Sequence, residues 1–486
     1  MSDIGLSGGA LGVVVVLGLA VGLLHLLDRH LRYAAEGKQR RVQAARWARR
    51  RDLRDMRGDG NEPGRLVLGR HGGRLLATIG QSSVVVIGPT RTSFKTTGFT
   101  IPAVLEWDGP VVVTSTKSDL LMATIARRRQ MGRAMVFDPT GMSGMGNVKA
   151  TPLSGCGSWG GSLRVAHRLS ASARSGGDGL QDSAFWHAAA EKLLAPILFA
   201  AASSGGEMAD VIRWLNDGAD AEPEVRERLE AAGDSEALSA WRANWNREER
   251  QRSSIYTTAE TILRAFADPL VLDACSRADY TPAAFLDGGA NTLYLCGPEH
   301  EQERLASLFA AMISELVAVV AEFSAETGKP IEPAVLVVAD EAANSAPIPN
   351  LAGIASSGAG QGVLLLSVFQ DLAQVEDWLG KKARTAINNH HAKVICAGAS
   401  DPSTLTYVDE VLGQGAFRQH SETASARGQG STTEGSIFRS LAPANAVREG
   451  APGTAVLICP HRPPAWIELR PWFKDPELSA MVEGRR

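Results

Sequence analysis

Residues 84–101 read VVVIGPTRTSFKTTGFTI. Four β-branched apolar residues in a row make a strand covered on both faces. Glycine and proline break the run, and a Lys-Thr-Thr sequence then opens a helical pattern over Lys95–Leu105. Strand, loop and helix, with lysine and threonine at the helix start, is the layout of a phosphate-binding loop. Such a loop needs successive backbone N–H groups at a helix N-terminus, a lysine for the outer phosphates and a hydroxyl for magnesium. The stretch departs from the pattern G-x-x-x-x-G-K-[ST] in two places. Counted from Gly88, Lys95 comes one position late, and the residue before it is Phe94 instead of glycine. On these residues alone, an ordinary strand–loop–helix turn fits as well.

A second stretch changes the balance. Residues 334–341 read AVLVVADE, a buried strand that ends in two carboxylates, Asp340 and Glu341. On a sheet shared with a lysine loop, one carboxylate is suited to the magnesium shell and its neighbour to polarising water. Farther on, the apolar run Gly362–Val368 leads to SVFQD. This puts the neutral amide of Gln370 at the end of another strand, where it is placed to sense a γ-phosphate or orient water, or simply to lie in a surface turn. Lys117 and Asp119 follow a further strand on the same edge and read best as exposed loop residues, with contact to DNA or the nucleotide as the alternative. His390 and His391 are adjacent, so on an extended segment they point to opposite faces and make a poor metal pair.

The surrounding pattern predicts an α/β fold with a mainly parallel sheet. Strands are expected at Val84–Gly88, Val111–Ser115, Ala134–Asp138, Asn291–Cys296, Ala334–Ala339, Gly362–Val368 and Lys393–Ala397. Helices are expected at Leu120–Met131 and Glu301–Glu322. A hairpin with Gly72-Gly73 at its turn precedes them over 64–79, and Thr454–Cys459 with Ala465–Leu469 make another near the end. Between about 160 and 275 strand signals vanish and helical periodicity takes over. This stretch reads as an inserted all-helical domain whose Trp186, Trp214, Trp241 and Trp245 fill its core. The Gly/Ser/Thr-rich stretch 413–436 reads as a mobile loop.

Composition narrows the function classes. The 486 residues carry a net charge of −3, so a globally basic nucleic-acid binder is excluded and any such contact must be local. Five scattered cysteines form no C-x-x-C pair and signal buried thiols in a reducing compartment. From Gly5 to Leu27 the chain carries no charged side chain. A stretch of that length, roughly 20 residues or a little more, is enough to span a bilayer. Arg29, Arg32, Lys38, Arg40, Arg41, Arg46, Arg49, Arg50 and Arg51 follow it. The positive-inside bias then places the bulk of the chain in the cytoplasm, single-pass in the cytoplasmic membrane. The expected organisation is an anchor at 1–30 and a basic juxtamembrane segment at 31–63. The nucleotide-binding domain occupies 64–159 and 276–474, interrupted by the helical domain at 160–275, with a tail at 475–486.

Set in order, these pieces resemble the TraG/TraD-like coupling proteins of type IV secretion, membrane-anchored RecA-like P-loop ATPases of conjugative DNA transfer. The resemblance rests on GPTRTSFKTTGFTIPAVLEWDGPVVVTSTKSDL, RRRQMGRAMVFDPTG, SIYTTAETILRAFADPLV and TLYLCGPEHEQERLASLF. It continues in VLVVADEAANSAPIPNLAGIASSGAGQGVLLLSVFQDLAQV and AINNHHAKVICAGASDPSTLTYVDEVLG, and spans about 65 to 473. The stretch DSAFWHAAAEKLLAPILFAA resembles the actinobacterial branch. The family resemblance implies ATP and Mg2+ as ligands and a homo-hexameric ring. The implied partners are DNA (single-stranded) or a relaxase–DNA complex, channel proteins and the membrane. Carried over by motif, Gly88, Pro89, Thr90, Arg91, Thr92, Ser93, Phe94, Lys95, Thr96 and Thr97 bind the nucleotide. Thr96 and Asp340 hold the metal, Glu341 activates water, and Gln370 takes the place of the family's sensor-like glutamine. The family's loop runs G-P-T-x-S-G-K-T-T, so this one is a residue longer and has lost a glycine. A Gly-Arg pair that acts on the neighbouring subunit in some relatives is Gly358-Ala359 here. Many relatives also carry two membrane spans, against one here. Two other readings remain open on the sequence: a non-hydrolysing cargo receptor of the same system, and an FtsK-type pump for double-stranded DNA.

Overall fold

A computed structural model describes residues 44–58, 62–115, 117–173, 181–423 and 431–485. The apolar run Gly5–Leu27 and the basic residues up to Arg41 lie outside the described residues. The chain divides into two units. One comprises residues 47–412 and 442–486, and the other comprises the chain up to residue 46 with residues 413–441.

The strands, in chain order, are β1 (Val67–His71), β2 (Arg74–Ala77), β3 (Val84–Ile87), β4 (Val111–Ser115) and β5 (Ala134–Phe137). They continue with β6 (Thr292–Cys296), β7 (Val335–Ala339), β8 (Val363–Phe369) and β9 (Ala392–Cys396). The last four are β10 (Gln414–Thr423), β11 (Ser431–Ser440), β12 (Thr454–Ile458) and β13 (Ala465–Glu468). In the larger unit the order across one 11-stranded sheet is β2-β1-β13-β12-β9-β3-β8-β7-β4-β6-β5. From β9 to β5 every neighbouring pair is parallel. The sequence accounts for this: β3, β6, β7, β8 and β9 are buried along their whole length, as strands covered on both faces must be. The two terminal hairpins, β1–β2 and β12–β13, pair antiparallel with each other and with β9, extending the sheet on that side. Gly72 and Gly73 turn the first hairpin at φ 54° and 80°. Both values lie in the left-handed region that a two-residue hairpin loop requires.

One buried polar side chain inside this layer is fully paired. His390 is fully buried, with Nδ1 at 2.8 Å from the Ala386 carbonyl and Nε2 at 3.0 Å from Ser367 Oγ. Burial pulls its pKa down to about 4, because a low dielectric disfavours the charged ring. The ring is therefore a neutral packing element, with both nitrogens engaged. All five cysteines are buried free thiols.

Between Phe137 and Thr292 no strand occurs among the described residues; the chain there is helical, from Trp159–Ala173 to Pro282–Phe285. Trp214 and Trp241 are buried as core residues. Trp245 is half-buried, stacked on Trp241 at 5.9 Å with the Arg252 guanidinium 4.4 Å above it. Trp186 is also half-buried, edge-on to Phe185 at 5.1 Å. After β6 comes a long helix, Gln302–Thr327. With the turn before it, this is a candidate span by length and composition among the described residues. However, 61% of its most apolar stretch is buried inside the protein, as in a core helix.

One expectation is overturned. In place of a loop over 413–436, the described residues form the strands of a hairpin. β10 and β11 pair without interruption from Gln414↔Ser440 to Thr423↔Ser431, while residues 424–430 lie outside the described residues. The alternation that betrays a half-buried strand is missing because Phe417 and Phe438 are both exposed. Phe417 pairs with Ile437 and Ala416 with Phe438. The two rings therefore lie on opposite faces, and no face reads as apolar. At the hairpin's root the Ala45 N–H donates to the Gln414 carbonyl at 2.9 Å.

Candidate phosphate and metal site

Three neighbouring parallel strands deliver the site. β8 lies between β3 and β7, with Ile87 opposite Phe369 and Ala339 opposite Ser367. The next residues are Gly88, Gln370 and Asp340, so all three leave the sheet at its carboxyl edge, where parallel sheets bind ligands. The Gly88 N–H donates to the Phe369 carbonyl at 3.1 Å. A Cβ on Gly88 would fall 2.6 Å from Cys396 Cβ at the end of β9 and 3.1 Å from Ser93 Cβ. Only glycine fits there.

The loop that follows is irregular and internally bonded. Ser93 Oγ donates to the Pro89 carbonyl at 2.6 Å and the Thr92 N–H to that of Thr90 at 3.0 Å. Arg91 and Phe94 adopt left-handed backbone, at φ 71° and 55°. For a residue with a side chain this costs on the order of 1–3 kcal/mol. Phe94 thus keeps a conformation natural to the glycine it replaces. The expected helix over Lys95–Leu105 is present but opens differently. Thr96–Thr100 is a π-helical turn, with the Ile101 N–H bonded to the Thr96 carbonyl, and α-helix runs only from Ile101 to Glu106. An i→i+5 turn holds one residue more than an α turn. It lies directly after a loop that is itself one residue longer than the pattern, and it offsets loop against helix.

The chemistry-bearing side chains converge behind this turn. Lys95 is only 6% exposed, and its Nζ donates to the Gly88 carbonyl at 3.1 Å. Burial lowers its pKa, against the pull of Asp340 and Glu341. Thr96 Oγ1 donates to Asp340 Oδ2 at 3.2 Å. The other Asp340 oxygen, Oδ1, is buried and has no partner. Burial raises the Asp340 pKa to about 6, with Lys95 pulling the other way. An orphaned buried carboxylate oxygen beside a threonine hydroxyl and a buried ammonium is a donor set that fits magnesium and phosphate.

Glu341 is also left-handed, at φ 55°, and starts the short helix Ala342–Ser345. Its carbonyl accepts from the N–H groups of Asn344 at 2.8 Å and Ser345 at 2.9 Å. Ser345 Oγ donates to the Asp340 carbonyl at 2.7 Å and lies 2.9 Å from Thr114 Oγ1 on β4. The backbone of the carboxylate pair is thereby fixed to two strands. Gln370 is half-buried, its N–H bonded to Gln374 Oε1 at 3.1 Å. Lys117 and Asp119 are exposed at the start of the helix Ser118–Met131.

Sequence reading missed what holds Phe94. Its ring lies 6.2 Å from the Phe473 ring, and the Lys474 ammonium sits 5.4 Å from its centroid. A Cβ on Gly453 would come 3.2 Å from the same ring. The phenyl group that stands in place of the glycine is therefore seated on the C-terminal segment. The signal was present as RPWFK directly after the last strand, but nothing in the sequence ties it to residue 94.

A lysine loop, a strand ending in glutamine and a strand ending in a carboxylate pair, side by side in a parallel sheet, define a RecA-like P-loop fold. A family model for type IV secretory system conjugative DNA transfer matches residues 35–483, and the chain belongs to that family, the TraG/TraD-like coupling proteins. The conjugal transfer protein TraG of Agrobacterium fabrum is 23% identical over 415 residues, covering 81% of this chain and 61% of the relative. A TraG of Escherichia coli is 24% identical over 446 residues, covering 82% and 68%. The chain thus spans about three-fifths to two-thirds of the length of these relatives. Among solved structures, the unbound bacterial conjugative coupling protein TrwBdeltaN70 superposes with a TM-score of 0.68 at 16% identity, covering 88% of this chain and 93% of that one. The plasmid coupling protein TrwB in complex with ADP and Mg2+ gives 0.67 at 16% identity, covering 88% and 94%. These likenesses establish the fold.

Proposed function

We propose that this chain is a membrane-anchored ATPase that recruits conjugative DNA, single-stranded or carried by a relaxase, and moves it into a type IV secretion channel. The observation that carries the reading is the Thr96–Asp340 contact at 3.2 Å beside buried Lys95, with one carboxylate oxygen left open. Family membership and the TrwB complexes with nucleotide support it.

In this reading residues 88–97 cradle ATP and Lys95 holds its outer phosphates. Thr96 and Asp340 are the residues that would hold Mg2+, which when bound neutralises charge on the β- and γ-phosphate oxygens. Glu341, one residue beyond Asp340, takes the proton of the attacking water. The uncharged amide of Gln370, one strand closer to the loop, orients that water. Gly5–Leu27 anchors the chain in the cytoplasmic membrane with its bulk in the cytoplasm, and a homo-hexameric ring surrounds the DNA. Binding to DNA is independent of sequence and weakens with salt, because it is carried by phosphate contacts and base stacking.

The test is steady-state ATP hydrolysis by the full chain, with and without single-stranded DNA. Turnover stimulated by DNA and lost in Lys95→Ala and Glu341→Gln is expected. ATP binding without any turnover would favour the cargo-receptor reading, which Phe94 and the longer loop motivate.

A further inference from the structure

We propose that Phe473 and Lys474 are positioning residues for the phosphate loop, acting on it through Phe94. The inference rests on the nucleotide-binding reading above and adds a partner for the loop from the far end of the chain.

Phe94 stands immediately before Lys95 in left-handed backbone, which its side chain disfavours. Whatever fixes that ring fixes the direction in which the chain enters Lys95 and the π-helical turn that starts at Thr96. The ring is held by the tilted Phe473 ring at 6.2 Å, with planes 59° apart, and by the Lys474 ammonium at 5.4 Å. Both are attractive geometries for an aromatic face. The holder is itself rigid. Arg470, 4% exposed, donates from its backbone N–H to the Gly98 carbonyl at 3.1 Å, on the loop's own first turn. Its guanidinium bonds both Glu106 oxygens, at 2.9 Å and 3.1 Å, and Asp475 at 3.2 Å. Asp475 in turn caps the helix Pro476–Val482, and Ser479 Oγ of that helix donates to the Trp472 carbonyl at 2.8 Å. The segment 470–475 is thus tied to both ends of the helical stretch that follows the loop and presses an aromatic ring on the residue that replaces its glycine. Phe473 nevertheless remains 48% exposed. It does not fill a core: its ring partners are its neighbour Trp472, edge-on at 5.8 Å, and Phe94, the contact that reaches the loop.

The test is a double-mutant cycle on the full-length protein, reading equilibrium binding of Mg-ATP and of Mg-tripolyphosphate. Phe473→Ala weakens both ligands by the same factor, about fivefold to tenfold, and Phe473→Tyr restores binding. In a Phe94→Gly background, Phe473→Ala has no further effect, because the group it acts through is gone. Lys474→Ala behaves as Phe473→Ala does, with a smaller factor. An undiminished loss in the Phe94→Gly background would overturn the proposal, since Phe473 would then act independently of Phe94. A loss for Mg-ATP that spares tripolyphosphate would also overturn it, by making the ring a nucleobase platform. If the unmodified chain bound neither ligand, the nucleotide reading would fail and the positioning role with it.

Discussion

The ends of β3 and β7 carry the two halves of one site and are built in different ways. At the end of β7 the carboxylates follow directly on a buried strand. The left-handed turn at Glu341 is held locally, by Ser345 and by Thr114 on the neighbouring strand. At the end of β3 the loop has two left-handed residues with side chains, Arg91 and Phe94. Its support comes from residues 453 and 470–475, near the other end of the chain. A half that is fixed by its own turn and the adjacent strand is expected to tolerate no change in its charged groups. A half that is fixed from outside can absorb an extra residue and a lost glycine, provided the outside support stays in place.

The largest effect expected is on the locally fixed half. Glu341→Gln removes the proposed proton acceptor while keeping the shape of the side chain. It should lower ATP turnover about 100-fold to 10,000-fold with little change in ATP binding, measured by hydrolysis and by equilibrium titration of the same preparation. Equal turnover in the variant would move the base elsewhere and dissolve the contrast between the two ends.

Next comes the external support. Arg470 is buried between Glu106 and Asp475. Burial holds the Glu106 pKa above the usual carboxylate range in spite of Arg470. At Asp475 burial is outweighed by Arg470 and Arg70, and its pKa lies below that range. Arg470→Met leaves both carboxylates buried without their shared partner. It should destabilise the protein by about 3–5 kcal/mol, seen as an earlier denaturant midpoint. It should also weaken nucleotide binding, which a fault in the edge of the sheet alone would not do.

A smaller effect is expected from pH. The Asp340 pKa is raised to about 6 by burial, and a metal ligand must be deprotonated to bind. Since the raised pKa lies above the usual range, the proton competes with Mg2+ at mildly acidic pH. Mg-nucleotide affinity should be flat above pH 7 and fall roughly tenfold per unit below about 6. A profile that stays flat to pH 5 would remove Asp340 from the metal shell.

The smallest effect on stability belongs to the substitution that looks most drastic. Phe94→Gly relieves the left-handed cost and forfeits the contacts to Phe473 and Lys474. The first is on the order of 1–3 kcal/mol and the two contacts together about 1–2 kcal/mol, so the unfolding midpoint should barely move while nucleotide affinity falls severalfold. A clear gain in both would mean that the aromatic seat only repairs a defect.

The contrast also sets what the sequence could disclose. The β7 half was legible because its cause is local: VLVVA followed by Asp340 and Glu341 is a run of adjacent letters. The parallel strands were legible for the same reason, as unbroken apolar runs with turn residues at their ends. The seat of Phe94 was not, because a contact between residues 94 and 473 leaves no periodic trace in either segment. Nor was the π-helical turn at Thr96–Thr100, whose residues suit an α-helix as well. The hairpin of β10 and β11 was hidden by its exposure, since with an exposed phenylalanine on each face the ladder is made by backbone groups that every residue has. The pairing of the terminal hairpins, β1 with β13, likewise joins segments far apart in the chain. The anchor at Gly5–Leu27 lies outside the described residues and stays a proposal.

The central claim is that a loop with Phe94 and one additional residue is a working nucleotide site. Its most direct test is calorimetric titration of the full chain with Mg-ATP, beside the Lys95→Ala variant. The account predicts saturable binding at one site per chain, abolished by Lys95→Ala and by removal of Mg2+. No binding, or binding that Lys95→Ala leaves intact, would contradict it.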